Sequence, residues 1–497
     1  MKKTALTGTF EENRAAVKAA LNIPRNEDII TRAFTVGGRD ALLFYVDGMA
    51  DDQKIERFVM TPLLRAGTLD EADLAASLLN TLPAASLSET TQTEGLVSRV
   101  MSGDAALLLD GLSGAVIADV KGFEHRAVAD TVNESVVVGP QEGFNESLRD
   151  NIVLMRRILR SPQMISERLT VGSKIPVRLS MVYLSGVARE DIVSRVRERI
   201  EKCNVDYLSS AGMLEQLLED RPYSLLPQIA QTERPDRAAS FLNEGQVLVF
   251  VENASCALSM PIDLLHLYHA PDDTGMRWQY GTFIRVLRLI GILMSLFLPA
   301  LFVALTMHHL EGLSLALVTS VGKSQADVPF SLFISTFLML IIFSIINEAA
   351  TRVPGAMGTS LSIVGGLILG TAAVEADTVS PLVIIVVALA GIGSFAVPDY
   401  PLTIALRITQ LALVIAAQLM GYLGLALAAF FFLVRLMTLT SLGAPYFAPV
   451  SPVRPANPDR VIRFPIWRQR LRGFLAAPGA MKRVRGRMRG WEGEDDA

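Results

Sequence analysis

The stretch LRLIGILMSLFLPALFVALTM, residues 287–307, carries no charge after Arg288 and is long enough to cross a bilayer as one helix. Further apolar runs follow at 328–346, 357–374 and 381–397. From 402 to 442 the chain stays apolar apart from Arg407, Gln410, Gln418, Arg435 and a few small hydroxyl residues. That length suits two short helices turning at Gly421-Tyr422-Leu423-Gly424. The reading is therefore about six membrane segments within 281–442.

Charge divides the rest. The chain is 51% hydrophobic and 19% charged, with a net charge of −4 and a mean hydropathy of +0.37. Residues 1–280 hold 29 basic and 39 acidic residues, 281–450 hold 6 and 6, and 451–497 hold 11 and 5. An acidic soluble half thus precedes a membrane half and a basic tail, 443–497. Arg277, Arg285, Arg288, Arg352, Arg407, Arg435 and the tail all fall on one side of a six-segment arrangement, with Lys323 alone opposite. By the positive-inside rule both termini are cytoplasmic. The N-terminus lacks the apolar stretch of a signal peptide. Bulk charge argues against a nucleic-acid binder.

The soluble half reads as α/β. IITRAFTVGGRDALLFYV (29–46) alternates around Gly37-Gly38 as a hairpin, and AALLLDG with GAVIADV supplies another strand pair. These make one subdomain, 1–138. GPQEGFNESLRDNIVLMRRILRSPQM has helical spacing at Leu148, Ile152, Met155 and Leu159 and reads as a connector helix, 139–165. VRLSMVYLSG, VAREDIVSRVRERIEKC and GQVLVFVENASCALSMP then run strand, helix, strand pair, which predicts a second subdomain, 166–280, with some parallel pairing. The fold class expected is an α/β soluble N-terminal half of two subdomains plus an all-α polytopic transmembrane domain.

Catalytic chemistry finds little support. Gly322-Lys323-Ser324 lacks the glycine five residues earlier that a phosphate loop needs, since Leu317 stands there. Gly37-Gly38 lacks the third glycine of a dinucleotide fingerprint. His266 and His269 share a helix face but have no third ligand, and neither Cys203 nor Cys256 has a base beside it. No catalytic residue, metal or cofactor is expected.

The membrane half offers more. Asn347, Glu348 and Arg352 end the second segment, with Glu348 and Arg352 spaced for an i,i+4 ion pair at a pore mouth or as a headgroup clamp. Gly358, Ser362, Gly366 and Gly370 recur every four residues, a small-residue stripe for close packing or for lining a narrow passage. Glu375 and Asp377 follow, and carboxylates in a ring of subunits attract cations. Pro398 and Pro401 stop the fourth segment around Asp399, which places Arg407 to pair with it. The tail, basic with interleaved Phe464, Trp467 and Phe474, is expected on anionic lipid headgroups.

GPQEGFNESLRDNIVLMRRIL (139–159), the core from RVPGAMGTSLSIVGG to VPDYPLTIALR (352–407), GAPYFAPVSP (443–452) and the hairpin VGGRDALLFYVDGM together resemble the A subunits of the GerA family of spore germinant receptors. The resemblance implies residence in the inner membrane of a bacterial endospore. It implies a transporter-like B subunit and a lipoprotein C subunit as partners. It also implies homo-oligomers, pentameric by expectation, that form a nutrient-gated channel for monovalent cations. Gly370-Thr371, Glu375-Ala376-Asp377 and Pro398-Asp399-Tyr400-Pro401 depart from the family's usual Gly-Gln, Glu-Ala-Gly and Pro-Ser-Tyr-Ser. An accessory channel like stage V sporulation protein AF, or a ligand-sensing scaffold without its own pore, are the alternatives.

Overall fold

The structure, a computed structural model, describes the chain apart from residues 1–4, 7–8, 67–73, 85, 123–133, 135, 137–138, 353–365, 367–369, 454–456, 478–479, 484–487 and 489–497. The third membrane segment, with Gly358 and Ser362, thus lies largely outside the described residues.

The N-terminal half is built twice on one plan. In the first subdomain β1 (Ile29–Val36) and β2 (Arg39–Val46) form the expected hairpin. Gly37 and Gly38 take φ of 57° and 80°, which a side chain would resist. A helical stretch (Asp52–Lys54, then Ile55–Met60 in π geometry, then Thr61–Arg65) leads on to β3 (Leu87–Thr90), β4 (Ala105–Leu109) and β5 (Ala115–Ala118). The sheet order is β1-β2-β4-β5-β3. Leu43 and Ala41 face Ile55, Val59 and Leu63. Leu42 and Phe44 face the other side, against α1 (Phe10–Ala20) and α2 (Thr93–Val100). Period-2 alternation therefore buries both faces of the sheet between helices.

The second subdomain repeats this with β6 (Met164–Val171), β7 (Val177–Leu184), β8 (Ala230–Thr232), β9 (Val247–Val251) and β10 (Ala257–Met260), in the order β6-β7-β9-β10-β8. Every pair of these strands is antiparallel, which corrects the expected parallel strand pairing; the parallel contact in this subdomain is an isolated bridge, Ile175 with Tyr207, outside the sheet. The physical reason is that the crossover from β7 leads to β8 at the far edge. β9 and β10 fill the gap between them, so strands joined through helices are not neighbours. β6 was not foreseen from the sequence. Between the subdomains α3 (Leu148–Ile158) is capped by Ser147 and carries Arg156, which is fully buried. Its guanidinium bonds both oxygens of Asp28, at 2.7 and 2.8 Å, and Asn26 at 3.0 Å, tying the first subdomain to the connector.

One face of the second sheet carries α4 (Glu190–Glu201) and α5 (Ala211–Leu218). The other face packs on α3 and α6 (Pro235–Asn243), and its core runs without a break into the membrane half through Leu267, Leu296, Leu402 and Tyr446.

Among the described residues, the helices long and apolar enough to cross a membrane are α7 (Trp278–His308), α8 (Leu332–Arg352, with Leu332–Ala350 as the apolar span) and α10 (Tyr400–Thr438); α9 (Pro381–Phe395) is apolar but shorter. The long helix α10 breaks at Met420 and Gly421, whose φ/ψ of −139/17° and 57/−136° are not helical. Its first half runs alongside α7, with Gln410 bonded to Ser295 O at 2.6 Å and His308 to Gln418 O at 2.7 Å. Its second half returns, because Ser441 just beyond it bonds the backbone at Gln228 and Ile262 in the soluble half.

Candidate functional site

The soluble and membrane halves meet at a charged joint on the foot of α7. Asp273 lies five residues before that helix and is almost fully buried. It accepts from Arg288 Nη1 and Nη2 at 2.9 and 3.1 Å, and from Arg285 Nε at 3.0 Å. Arg285 also donates to Asp459 of the tail at 2.7 Å. Arg288 donates to Tyr268 O at 2.8 Å and lies over the Tyr268 ring. Burial by itself would raise the Asp273 carboxyl, but the hydrogen bonds and charges of the two arginines outweigh it and hold the carboxyl low. Arginines that the sequence presents as topology signals are thus paired inside protein. The pairing is possible because the short helix Leu264–Tyr268 and the tail fold back over the foot of α7.

Beside the joint is a cavity of about 240 Å³, walled by α6, the Leu264–Tyr268 helix and the tail. His266 bonds Asp263 at 2.6 Å; burial opposes its protonation, but the Asp263 charge and bond outweigh it and raise its pKa. His269 is pushed down to about 4, chiefly by burial and then by the Arg285 charge, and donates through Nε2 to Arg460 O at 2.8 Å. The two histidines therefore have different partners rather than a shared ligand. Among the described residues no group of three or more His, Cys, Asp or Glu could hold a metal ion. Burial pushes the Cys256 thiol up to about 11, away from the reactive thiolate.

The tail straps onto the second subdomain. Gly473 N donates to Glu244, which also pairs with Arg483, and Arg472 Nε donates to Asn243 O at 2.7 Å. Arg463 is buried against Met276 O and Thr274 O, at 2.7 and 2.9 Å. These three basic side chains face protein, so headgroup contact by the tail rests on the remaining ones.

The membrane candidates separate. Asn347 is buried with its Nδ2 lacking a hydrogen-bond partner, and Glu348 is exposed. The Arg352 side chain lies outside the described part, so its pairing with Glu348 is not described. Gly366 is exposed, and among the described residues a Cβ there would meet nothing within 4 Å; at Gly370 it would meet, among the described residues, only Ile384, at 3.8 Å. Glu375, the last helical residue of that segment, and Asp377, in the turn after it, are both exposed. Asp399 caps α10 through Leu402 N at 2.9 Å. Arg407 does not join it, a correction to the expected pair. Two turns of helix separate them, and the Arg407 guanidinium instead approaches Ser394 Oγ at 3.4 Å.

Sequence reasoning missed a close helix crossing. A Cβ on Gly393 would stand 2.3 Å from Gly291 O, and one on Gly391 would stand 2.3 Å from the Phe343 ring. The signal was present as Gly391-Ile392-Gly393, but nothing in the sequence pairs it with Gly291.

A sequence profile described as "Bacillus/Clostridium GerA spore germination protein" matches residues 16–474. Spore germination protein B1 of Bacillus subtilis is 33% identical over 92% of this chain and 95% of its own length. Spore germination protein KA of the same organism is 32% identical over 89% of this chain and 82% of its own. The crystal structure of the N-terminal domain of the A subunit of the Bacillus megaterium spore germinant receptor GerK3 is 25% identical, with a TM-score of 0.41. It covers 52% of this chain and 97% of its own.

Proposed function

The chain belongs to the GerA spore germination protein family, and on that premise we propose that it is the A-type membrane subunit of a spore germinant receptor, whose copies assemble into a nutrient-gated pore for monovalent cations. The observation that carries the pore is the contrast among glycines. Gly291, Gly391 and Gly393 are closed against neighbours within one copy, while among the described residues Gly366 and Gly370 leave their small-residue face open. A face unused inside one chain is available to line a passage or to meet another copy. The exposed Glu375 and Asp377 supply the carboxylates that draw cations to its mouth.

In this reading the chain crosses the membrane six times, with both termini cytoplasmic and the α10 break as the last outer turn. It resides in the inner membrane of the spore, contacts anionic lipids, and works with a transporter-like B subunit and a lipoprotein C subunit. A pentamer is the expected assembly. Its role is transport rather than catalysis.

The test is flux. Full-length protein in liposomes, with its partners and nutrient, should form discrete oligomers and pass K⁺ or Na⁺. A strictly monomeric and non-conducting preparation would remove the proposal. The charged cavity at the joint favours a second reading, a ligand-sensing scaffold without its own pore. Gly366→Leu separates the two, because a scaffold tolerates it and a pore changes its conductance.

A further inference from the structure

The loop after α5 in the second subdomain is clamped at both ends to the segment that leaves the membrane. At one end Asp220 accepts from Thr440 Oγ1 at 2.6 Å and from Gly443 N at 2.8 Å. At the other, Gln228 O accepts from Ser441 Oγ at 2.6 Å. Thr440 is two residues past the end of α10. The loop's base is closed by reciprocal bonds, Arg221 N to Gln228 Oε1 at 3.0 Å and Gln228 Nε2 to Arg221 O at 2.8 Å. Residues 221–227 are therefore a short, rigidly based finger set where α10 emerges.

What the finger carries is unusual for a surface of the acidic half. Tyr223 is 100% exposed and Leu225 55% exposed, with Arg221 exposed at its start. Two other helix ends on this side supply their own interfacial aromatics: Trp278 and Tyr280 at the start of α7, and Tyr400 at the start of α10, are all exposed. Tyr and Trp favour that level because the ring is apolar while its polar group stays hydrated. The returning end of α10 has none. Its exposed Phe430 and Phe431 lie two turns deeper, and Leu433, Val434, Arg435 and Met437 complete the exposed surface up to the exit. Tyr223 stands where that missing aromatic belongs. The neighbouring recess, about 540 Å³, is rimmed by Arg195, Arg199 and Arg221 together with Glu219 and Asp220. Arg199 pairs with Asp220 and Arg195 donates to Leu442 O, while Arg221 and Arg435, one turn inside the helix end, are exposed.

We propose that residues 221–225 form an interfacial anchor: Tyr223 and Leu225 enter the cytoplasmic headgroup layer beside the exit of α10, and the exposed Arg221 and Arg435 face anionic lipid phosphates. The anchor fixes the second subdomain against the bilayer at a point independent of the charged joint on α7. It requires the return of α10 through the membrane and does not depend on conduction.

The test uses the full chain in nanodiscs of phosphatidylglycerol and phosphatidylcholine. Tyr223→Trp adds a fluorophore at a fully exposed position, read against the unsubstituted chain to remove the native tryptophans. The added emission should fall about twofold when the lipids are brominated near the top of their acyl chains, and less when brominated near the end. Adding Leu225→Asp to that variant should weaken the quenching. Emission that is water-like and unquenched overturns the proposal. Blue-shifted emission without quenching also overturns it, because the loop is then covered by protein, such as a second copy, rather than lipid.

Discussion

Asp273 holds Arg288 through both guanidinium nitrogens, at 2.9 and 3.1 Å, in a buried pair at the foot of the first membrane helix. Removing the carboxylate leaves two buried guanidinium groups short of a partner. Asp273→Asn should destabilise the full-length protein by about 3–5 kcal/mol, read as a lowered melting midpoint in detergent. Adding Arg288→Met should recover part of that loss; a double variant as unstable as the sum of both singles would refute the pairing.

The glycine contrast separates packing from function. Gly393→Ala forces a Cβ to within 2.3 Å of Gly291 O, and backbone cannot yield as a flexible side chain does. The expected loss is about 1–3 kcal/mol in thermal unfolding. Gly366→Ala, with nothing within 4 Å among the described residues, should leave that midpoint unchanged.

Glu244 is the anchor of the tail strap, accepting Gly473 N and pairing with Arg483. Glu244→Ala should free the chain beyond residue 470. Limited proteolysis should cut there faster, and hydrogen exchange at Gly473 should rise. Unchanged protection would show that Phe474 and Leu475, buried against Ala448, hold the strap unaided.

Glu215 on α5 is raised to about 7, mainly by burial, with the Gln231 bond opposing it. The folded state therefore keeps a proton that the unfolded chain releases near pH 4.5. Stability from this group is fully present below that value and is lost as pH rises toward about 7. Glu215→Gln should flatten the melting midpoint between pH 5 and 8, most visibly by raising it at the alkaline end. An unaltered profile would assign the slope to other groups.

Much of the fold was legible in local signals. Gly37-Gly38 between alternating strands announces a hairpin because only φ > 0 closes it, and the long apolar runs announce membrane helices because hydrocarbon demands them. The antiparallel order of the second sheet was not legible. Which strand lies beside β7 depends on a crossover of more than forty residues, and the α/β pattern is equally consistent with either outcome. The duplicated plan of the two subdomains was hidden for a related reason: shared pairing order leaves no repeated motif when different side chains fill the two cores.

The candidate site divides along the same line. Sequence by itself determined that charge is scarce between residues 281 and 450, and that Arg285, Arg288, Asp399 and Arg407 stand near segment ends. Only the tertiary structure decided their partners. Arg285 and Arg288 meet Asp273 because the turn before α7 folds it against the helix foot, and Arg285 meets Asp459 because the tail folds back across more than 170 residues, while Arg407, eight residues from Asp399 on one helix, is carried out of its reach. Local sequence sets which groups are too costly to leave bare in an apolar medium; long-range packing alone determines which groups come close enough to satisfy them.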